Sequence, residues 1–157
     1  MKKFQYILDK LPYSKPFLFV DALISLTETN VEGSYTFSND EYFYTGHFKE
    51  NPVTPGVILT ECMAQIGLVC FGIFLLHKEL ASTEKEVLSN HQIALTNNNI
   101  DFYLPVFPGE TVRVLSEKEY FRFNKLKCKV KMLNEKNEVV CRGVISGMIY
   151  SMHQKNS

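Results

Sequence analysis

Residues 57–76 constrain this chain more than any other segment: they are nearly all apolar, and about 20 apolar residues can span a bilayer. Thr60, Glu61 and Gln65 nevertheless lie in the first half of the run, and a carboxylate in lipid is expensive. No basic cluster flanks its N-terminal end, where a membrane span often carries one. A helix that is apolar all round, in a chain whose other segments need something to wrap, reads as a buried core helix. Thr54 is expected to cap this helix and Pro55 to take its first position, where no backbone donor is required. Gly56 follows and lets another group approach the backbone closely.

Around that helix the signal is β. Residues 17–26 and 31–37 are short apolar runs separated by a turn at Glu28-Thr29-Asn30. Beyond the helix, residues 78–90 are polar and read as a surface loop. Residues 92–104, 110–122, 125–133 and 139–152 then have strand-like composition, broken by turn residues at 105–109, near Asn124 and at 134–137. Lys125, Lys127, Lys129 and Lys131 alternate with Leu126, Cys128, Val130 and Met132, the period-2 pattern of a strand with one wet and one buried face. The layout is α+β: two short strands, one long helix, then four long strands, expected to form an antiparallel sheet curled around a central helix. Residues 1–157 read as one domain. Such a sheet leaves edges, and pairing two sheets in a dimer would cover one of them.

Lys plus Arg equals Asp plus Glu at 17 each, so the molecule as a whole has no pull toward nucleic acid or an anionic membrane. Cys62, Cys70, Cys128 and Cys141 each sit in an apolar run without metal-site spacing. They read as buried reduced thiols. The N-terminus starts basic and lacks the apolar run of a signal peptide; it reads as a short amphipathic helix stopped by Pro12, in a cytoplasmic protein.

The crossing into the helix carries His47, and loops that carry function often look like this. Glu61 follows in the greasy helix with Gln65 at i+4 on the same face. Burial raises a carboxyl pKa, so Glu61 can hold a proton near neutrality and donate it. A histidine can accept one. The free N–H groups of Gly56 and Val57 at the helix start can stabilise an enolate or oxyanion. A base, an acid and an oxyanion site are what α-proton abstraction beside a carbonyl, with departure of a β-hydroxide, would need. From the residues alone, a structural loop histidine and a salt-bridged or interface glutamate stay open, and they are the plainer reading.

The motifs add to this. Gly46-His47-Phe48, then Asn51-Pro52-Val53-Thr54-Pro55-Gly56-Val57, then Glu61-Cys62-Met63-Ala64-Gln65 closely resemble the FabZ-type 3-hydroxyacyl-[acyl-carrier-protein] dehydratases. That family reads GHFPGNP, a variable pair, PGV, then EAMAQ. Leu11 to Asp21 resembles its LPHRYPFLLVD opening, and Pro105 to Glu110 its PxxPGD turn. The resemblance spans roughly residues 11–150. It implies a hot-dog fold, a curved antiparallel sheet wrapped around one long central helix, with no metal or redox cofactor. It implies a homodimer, often a trimer of dimers, in which the histidine and the glutamate of one site come from opposite subunits. It assigns His47 to remove the C2 proton, Glu61 to protonate the departing 3-hydroxyl, and the Gly56 N–H to hold the thioester oxygen. The substrate would ride on acyl carrier protein, its acyl chain in a tunnel at the dimer interface.

Two departures stand out. Lys49-Glu50 replaces the family's Pro-Gly, and Tyr13-Ser14 replaces its His-Arg. They point toward a dedicated paralogue serving a polyene pigment, a specialised lipid or a polyketide. Glu rather than Asp at 61 favours plain dehydration over dehydration with double-bond isomerisation.

Weaker signals complete the reading. His77, His91 and His153 are expected at the surface. Phe48, Phe102 and Tyr103, with the aromatic stretch 42–44, are candidates to line an acyl tunnel, although aromatics also dominate ordinary packing. The Lys125–Lys131 stripe reads as a solvated strand face that could dock an acidic carrier protein. Two rival functions remain open at this point: a hot-dog acyl thioesterase, since Glu61 and the Gly56 amide could serve a base-activated water, and a non-catalytic acyl-binding partner subunit.

Overall fold

The computed structural model describes residues 3–80 and 91–151. A four-residue helix α1 (Gln5–Leu8) precedes strands β1 (Ala22–Leu26) and β2 (Asn30–Thr36) and a 3-10 turn at Tyr42–Thr45. The long helix follows in three parts: α2 (Gly56–Ala64), a π-helical stretch Gln65–Cys70, and α3 (Phe71–Leu80). Four strands complete the fold: β3 (His91–Phe102), β4 (Thr111–Arg122), β5 (Lys125–Leu133) and β6 (Val139–Ser151).

The strands form one six-stranded sheet in the order β1-β2-β4-β5-β6-β3, and every neighbouring pair is antiparallel. The sheet surrounds the helix, whose apolar stretch Gly56–Glu79 is 78% buried over its most apolar window. A mostly apolar helix can be stable in this way because each fully buried Leu, Ile or Phe contributes about 1.5–3 kcal/mol relative to exposure. The α+β hot-dog expectation therefore holds. In β5 the alternation is as read: Leu126, Cys128, Val130 and Met132 are buried while the lysines between them point outward, Lys127 and Lys129 beside Glu119. All four cysteines are free and buried, and burial pushes the Cys128 thiol up to about 11.

The helix packs tightly against the sheet at Gly67. A Cβ there would lie 3.0 Å from Cβ of Ser116 and 3.1 Å from a methyl of Val130. The Ser116 hydroxyl donates to the Gly67 carbonyl at 2.9 Å, so β4 and the π-helical turn are joined by a polar bond inside the core.

Four expectations need correction. The run 17–26 is a strand only from Ala22, because the Phe19 N–H is spent on the side chain of Gln65 rather than on a neighbouring strand. Thr54 does not cap the helix: Pro55 occupies the cap position with no side-chain bond, and the Thr54 hydroxyl is engaged by Tyr44 instead. Of the loop expected over 78–90, residues 78–80 are instead helical, since α3 continues to Leu80; residues 81–90 lie outside the described residues. His77, expected at the surface, is partly buried. Its ring packs 5.4 Å from that of Tyr6, because the N-terminal helix folds back over the last turns of α3. His91 is likewise only partly exposed, and His153 lies outside the described residues.

Candidate active site

The crossing from the 3-10 turn to α2 is held by backbone bonds that converge on His47. Its N–H donates to the Phe43 carbonyl at 3.0 Å, and its own carbonyl accepts the Val53 N–H at 2.9 Å. Its ring Nδ1 lies 2.8 Å from the Val53 carbonyl oxygen. A carbonyl can only accept, so Nδ1 carries the hydrogen, and the neutral ring keeps its lone pair on Nε2. Phe48 stacks on the imidazole at 4.1 Å between ring centroids. Phe48 and Asn51 then exchange backbone bonds at 3.1 Å each. These close a tight loop with Lys49 and Glu50 at its tip, so the backbone closes here without the family's Pro-Gly.

Gly56 and Val57 open the helix. The Ile58 and Leu59 N–H groups donate to the Pro55 carbonyl, whereas those of Gly56 and Val57 have no acceptor among the described residues. Two adjacent donors thus stand free where the helix dipole is positive. The Val57 side chain beside them is 76% exposed. The ring of Phe102 packs over Gly56, 3.3 Å from where a Cβ would be, so Gly56 is the residue that leaves room for it.

Glu61 sits in the second turn of α2, partly buried. Burial raises its carboxyl above the ordinary range, and a hydrogen bond from Gln65 offsets part of that rise. Gln65 is fully buried and uses both ends of its amide. Its Oε1 accepts the Phe19 N–H at 2.8 Å, and its Nε2 donates to the Phe17 carbonyl at 3.0 Å and to Glu61 Oε1 at 3.1 Å. Tyr13 belongs to the same neighbourhood. Its phenol is pushed up to about 12, first by burial and then by the Glu61 carboxylate. Its ring packs 6.4 Å from that of Phe17, whose carbonyl accepts from Gln65.

The fold therefore brings together Glu61, Gln65 and Tyr13 on one side, and His47, Val53 and the Gly56 amide on the other. Among the described residues no hydrogen bond joins His47 to Glu61 within the chain. Of the candidate tunnel residues, Phe48, Phe102 and Tyr103 all remain substantially exposed on the single chain, and Tyr103 lies under the Arg142 guanidinium at 5.5 Å.

Comparison with known proteins adds the following. The FabA-like domain family matches residues 11–143. The 3-hydroxyacyl-[acyl-carrier-protein] dehydratase FabZ of Sinorhizobium fredii is 34% identical over 151 residues, covering 94% of this chain and 89% of that protein. The FabZ dehydratase of Clostridium perfringens is 32% identical over 114 residues, covering 73% of this chain and 75% of its own. Among solved structures, the dehydratase heterocomplex ApeI:P of Xenorhabdus doucetiae superposes with a TM-score of 0.72 at 14% identity, covering 94% of this chain and 91% of the other. The thioesterase HI1161 of Haemophilus influenzae superposes with a TM-score of 0.59 at 13% identity, covering 87% and 82%. At such identities these two structures speak for the fold alone.

Proposed function

The chain belongs to the FabA-like family, and from that premise we propose that it removes water from a 3-hydroxyacyl thioester carried on acyl carrier protein, giving the trans-2-enoyl thioester. Residues 1–157 are taken as one dehydratase domain working in the cytoplasm, in fatty-acid synthesis or a related lipid or polyene pathway.

In this reading Nε2 of His47 takes the C2 proton. Negative charge then gathers on the thioester oxygen, where the Gly56 N–H, with Val57 beside it, stabilises the enolate. Glu61, whose carboxyl burial raises above the ordinary range, gives its proton to the departing 3-hydroxyl, which leaves as water. Since Gln65 donates to Oε1, Oε2 is the oxygen that carries the mobile proton. Each proton-transfer group is expected to contribute about 10²–10⁴-fold to the rate. The observation that carries the reading is the reciprocal pairing of His47 with Val53, which presents the unprotonated Nε2.

We further propose that two copies pair along β3, which ends the sheet as a twelve-residue edge. Such an edge offers a row of backbone groups for pairing, and the exposed Val57, Phe48 and Phe102 would be covered with it. The partner's Glu61 would then meet His47, and Phe48, Phe102 and Tyr103 would line the acyl tunnel.

The test is a panel of 3-hydroxyacyl-carrier-protein substrates incubated with wild type, His47→Ala and Glu61→Gln and followed by mass spectrometry. Loss of one water in wild type, abolished in both variants, is expected. Free acid in place of enoyl product would move the assignment to a thioesterase. A folded wild type that changes no substrate would leave the chain as a non-catalytic acyl-binding subunit.

A further inference from the structure

Between the proposed base and the proposed oxyanion amide lies a bond that the dehydration chemistry does not itself require. The Tyr44 and Thr54 hydroxyls are 2.6 Å apart, and both residues are almost fully buried, at 6% and 4% exposure. Tyr44 belongs to the 3-10 turn that delivers His47; the preceding residue, Phe43, accepts the His47 N–H. Thr54 is flanked by Val53, which holds the His47 ring and backbone, and by Pro55, whose carbonyl accepts the Ile58 and Leu59 N–H groups. Thr54 is fixed a second time by its N–H, which donates to the Val106 carbonyl at 2.9 Å. The hydroxyl bond thus closes a ring of contacts: Tyr44, the turn, His47, Val53, Thr54 and back to Tyr44.

We propose that the buried Tyr44–Thr54 hydroxyl pair is a positioning clamp that sets the His47 imidazole relative to the Gly56 amide. The inference rests on the dehydratase reading above. Three features support it. First, hydroxyls are poor choices for a purely apolar site, since an unpaired buried one carries its full desolvation penalty; two that satisfy each other specify one arrangement of the two segments. Second, Thr54 occupies one of the two variable places in the family motif, so the general backbone plan of the loop does not demand a hydroxyl there. Third, neither side chain reaches the reacting groups: Tyr44 contacts Thr54 and the ring of Phe43, at 4.7 Å between centroids. Both therefore act through the segments they join.

The experiment compares Tyr44→Phe, Thr54→Val, the double variant and Thr54→Ser, each measured for kcat, KM and Tm on a 3-hydroxyacyl-carrier-protein that wild type converts. Each single variant is expected to lose about 10- to 100-fold in kcat, the scale of a small misplacement of a reacting group, with KM little changed. The double variant leaves no orphaned hydroxyl, so its Tm should return toward wild type while its kcat stays as low as that of the singles. Thr54→Ser, which keeps the hydroxyl, should restore kcat. If a single variant fails to fold, the double variant carries the same comparison. The clamp is overturned if folded single variants keep kcat within about twofold of wild type, or if kcat recovers in step with Tm in the double variant, which would make the pair merely structural. A wild type without dehydratase activity would instead overturn the reading on which the clamp rests.

Discussion

Nδ1 of His47 and the carbonyl oxygen of Val53 stand 2.8 Å apart, and this one contact decides which face of the imidazole can do chemistry. The backbone of the same two residues is also bonded, Val53 N–H to His47 carbonyl, so the ring cannot turn without breaking a local ladder. The neutral ring should therefore be the Nδ1–H tautomer. Long-range ¹H–¹⁵N correlation of the histidine rings would check it. A proton found on Nε2 in the neutral ring would remove His47 as the base.

Gln65→Leu should destabilise the chain severely. The amide satisfies the Phe19 N–H and the Phe17 carbonyl, and leucine would orphan the buried Phe19 N–H and remove the partner of the carbonyl on half-exposed Phe17. At about 1–3 kcal/mol for each unsatisfied buried group, a loss of about 3 kcal/mol is expected. The midpoint of urea unfolding would read it, with an unchanged slope if the fold is otherwise kept. A loss below about 1 kcal/mol would mean that segment 17–19 finds other partners.

Glu61→Gln should change how stability depends on pH. Burial raises the Glu61 carboxyl in the folded chain above its unfolded value, so the native state binds more protons than the unfolded one between the two. Stability contributed by this group is then full below the unfolded carboxylate pKa and is lost as pH rises through the folded one. The glutamine variant lacks that loss. Thermal melts should coincide at low pH, and the variant should melt higher than wild type near neutrality. A wild type that gains on the variant as pH rises would contradict the raised pKa.

Phe123→Gly should make the chain more stable, although it deletes an aromatic ring. Phe123 is 92% exposed and has φ 51, with Asn124 following at φ 60. Two left-handed residues make the tight β4–β5 turn, where Asn-Gly is the favoured pair and a bulky side chain is strained. Relief of about 1 kcal/mol is expected, read from denaturant midpoints. A loss of stability would show that the ring has contacts worth more than the strain.

Much of this architecture is legible in the chain because its local and global signals agree. Lys125 to Met132 alternates without a fault, and β4 and β5 begin and end within a residue of the expected places. The buried helix is legible for the same reason: nothing but a core could use it. Misreadings arise where one side chain takes over a backbone's work. Residues 17–20 have the composition of a strand, yet they are pinned by Gln65, a partner distant in sequence. Thr54 has the right identity and place for a cap, but Tyr44 holds its hydroxyl. The packing of Tyr13 on Phe17, which ties it to the Gln65 segment, is equally hidden. For the proposed site, His47, Gly56 and Glu61 are named from the motifs that resemble the dehydratase family. The contacts that tune them, Val53 on one side and Gln65 on the other, emerge only in three dimensions.

The place of β3 at the end of the sheet makes dilution a chemical variable. On the proposed pairing, each reaction centre draws one group from each of two chains, so turnover per chain falls as the protein is diluted and recovers as it is concentrated. It also permits complementation. A chain without His47 and a chain without Glu61, each silent alone, would on mixing rebuild one intact centre in every mixed pair.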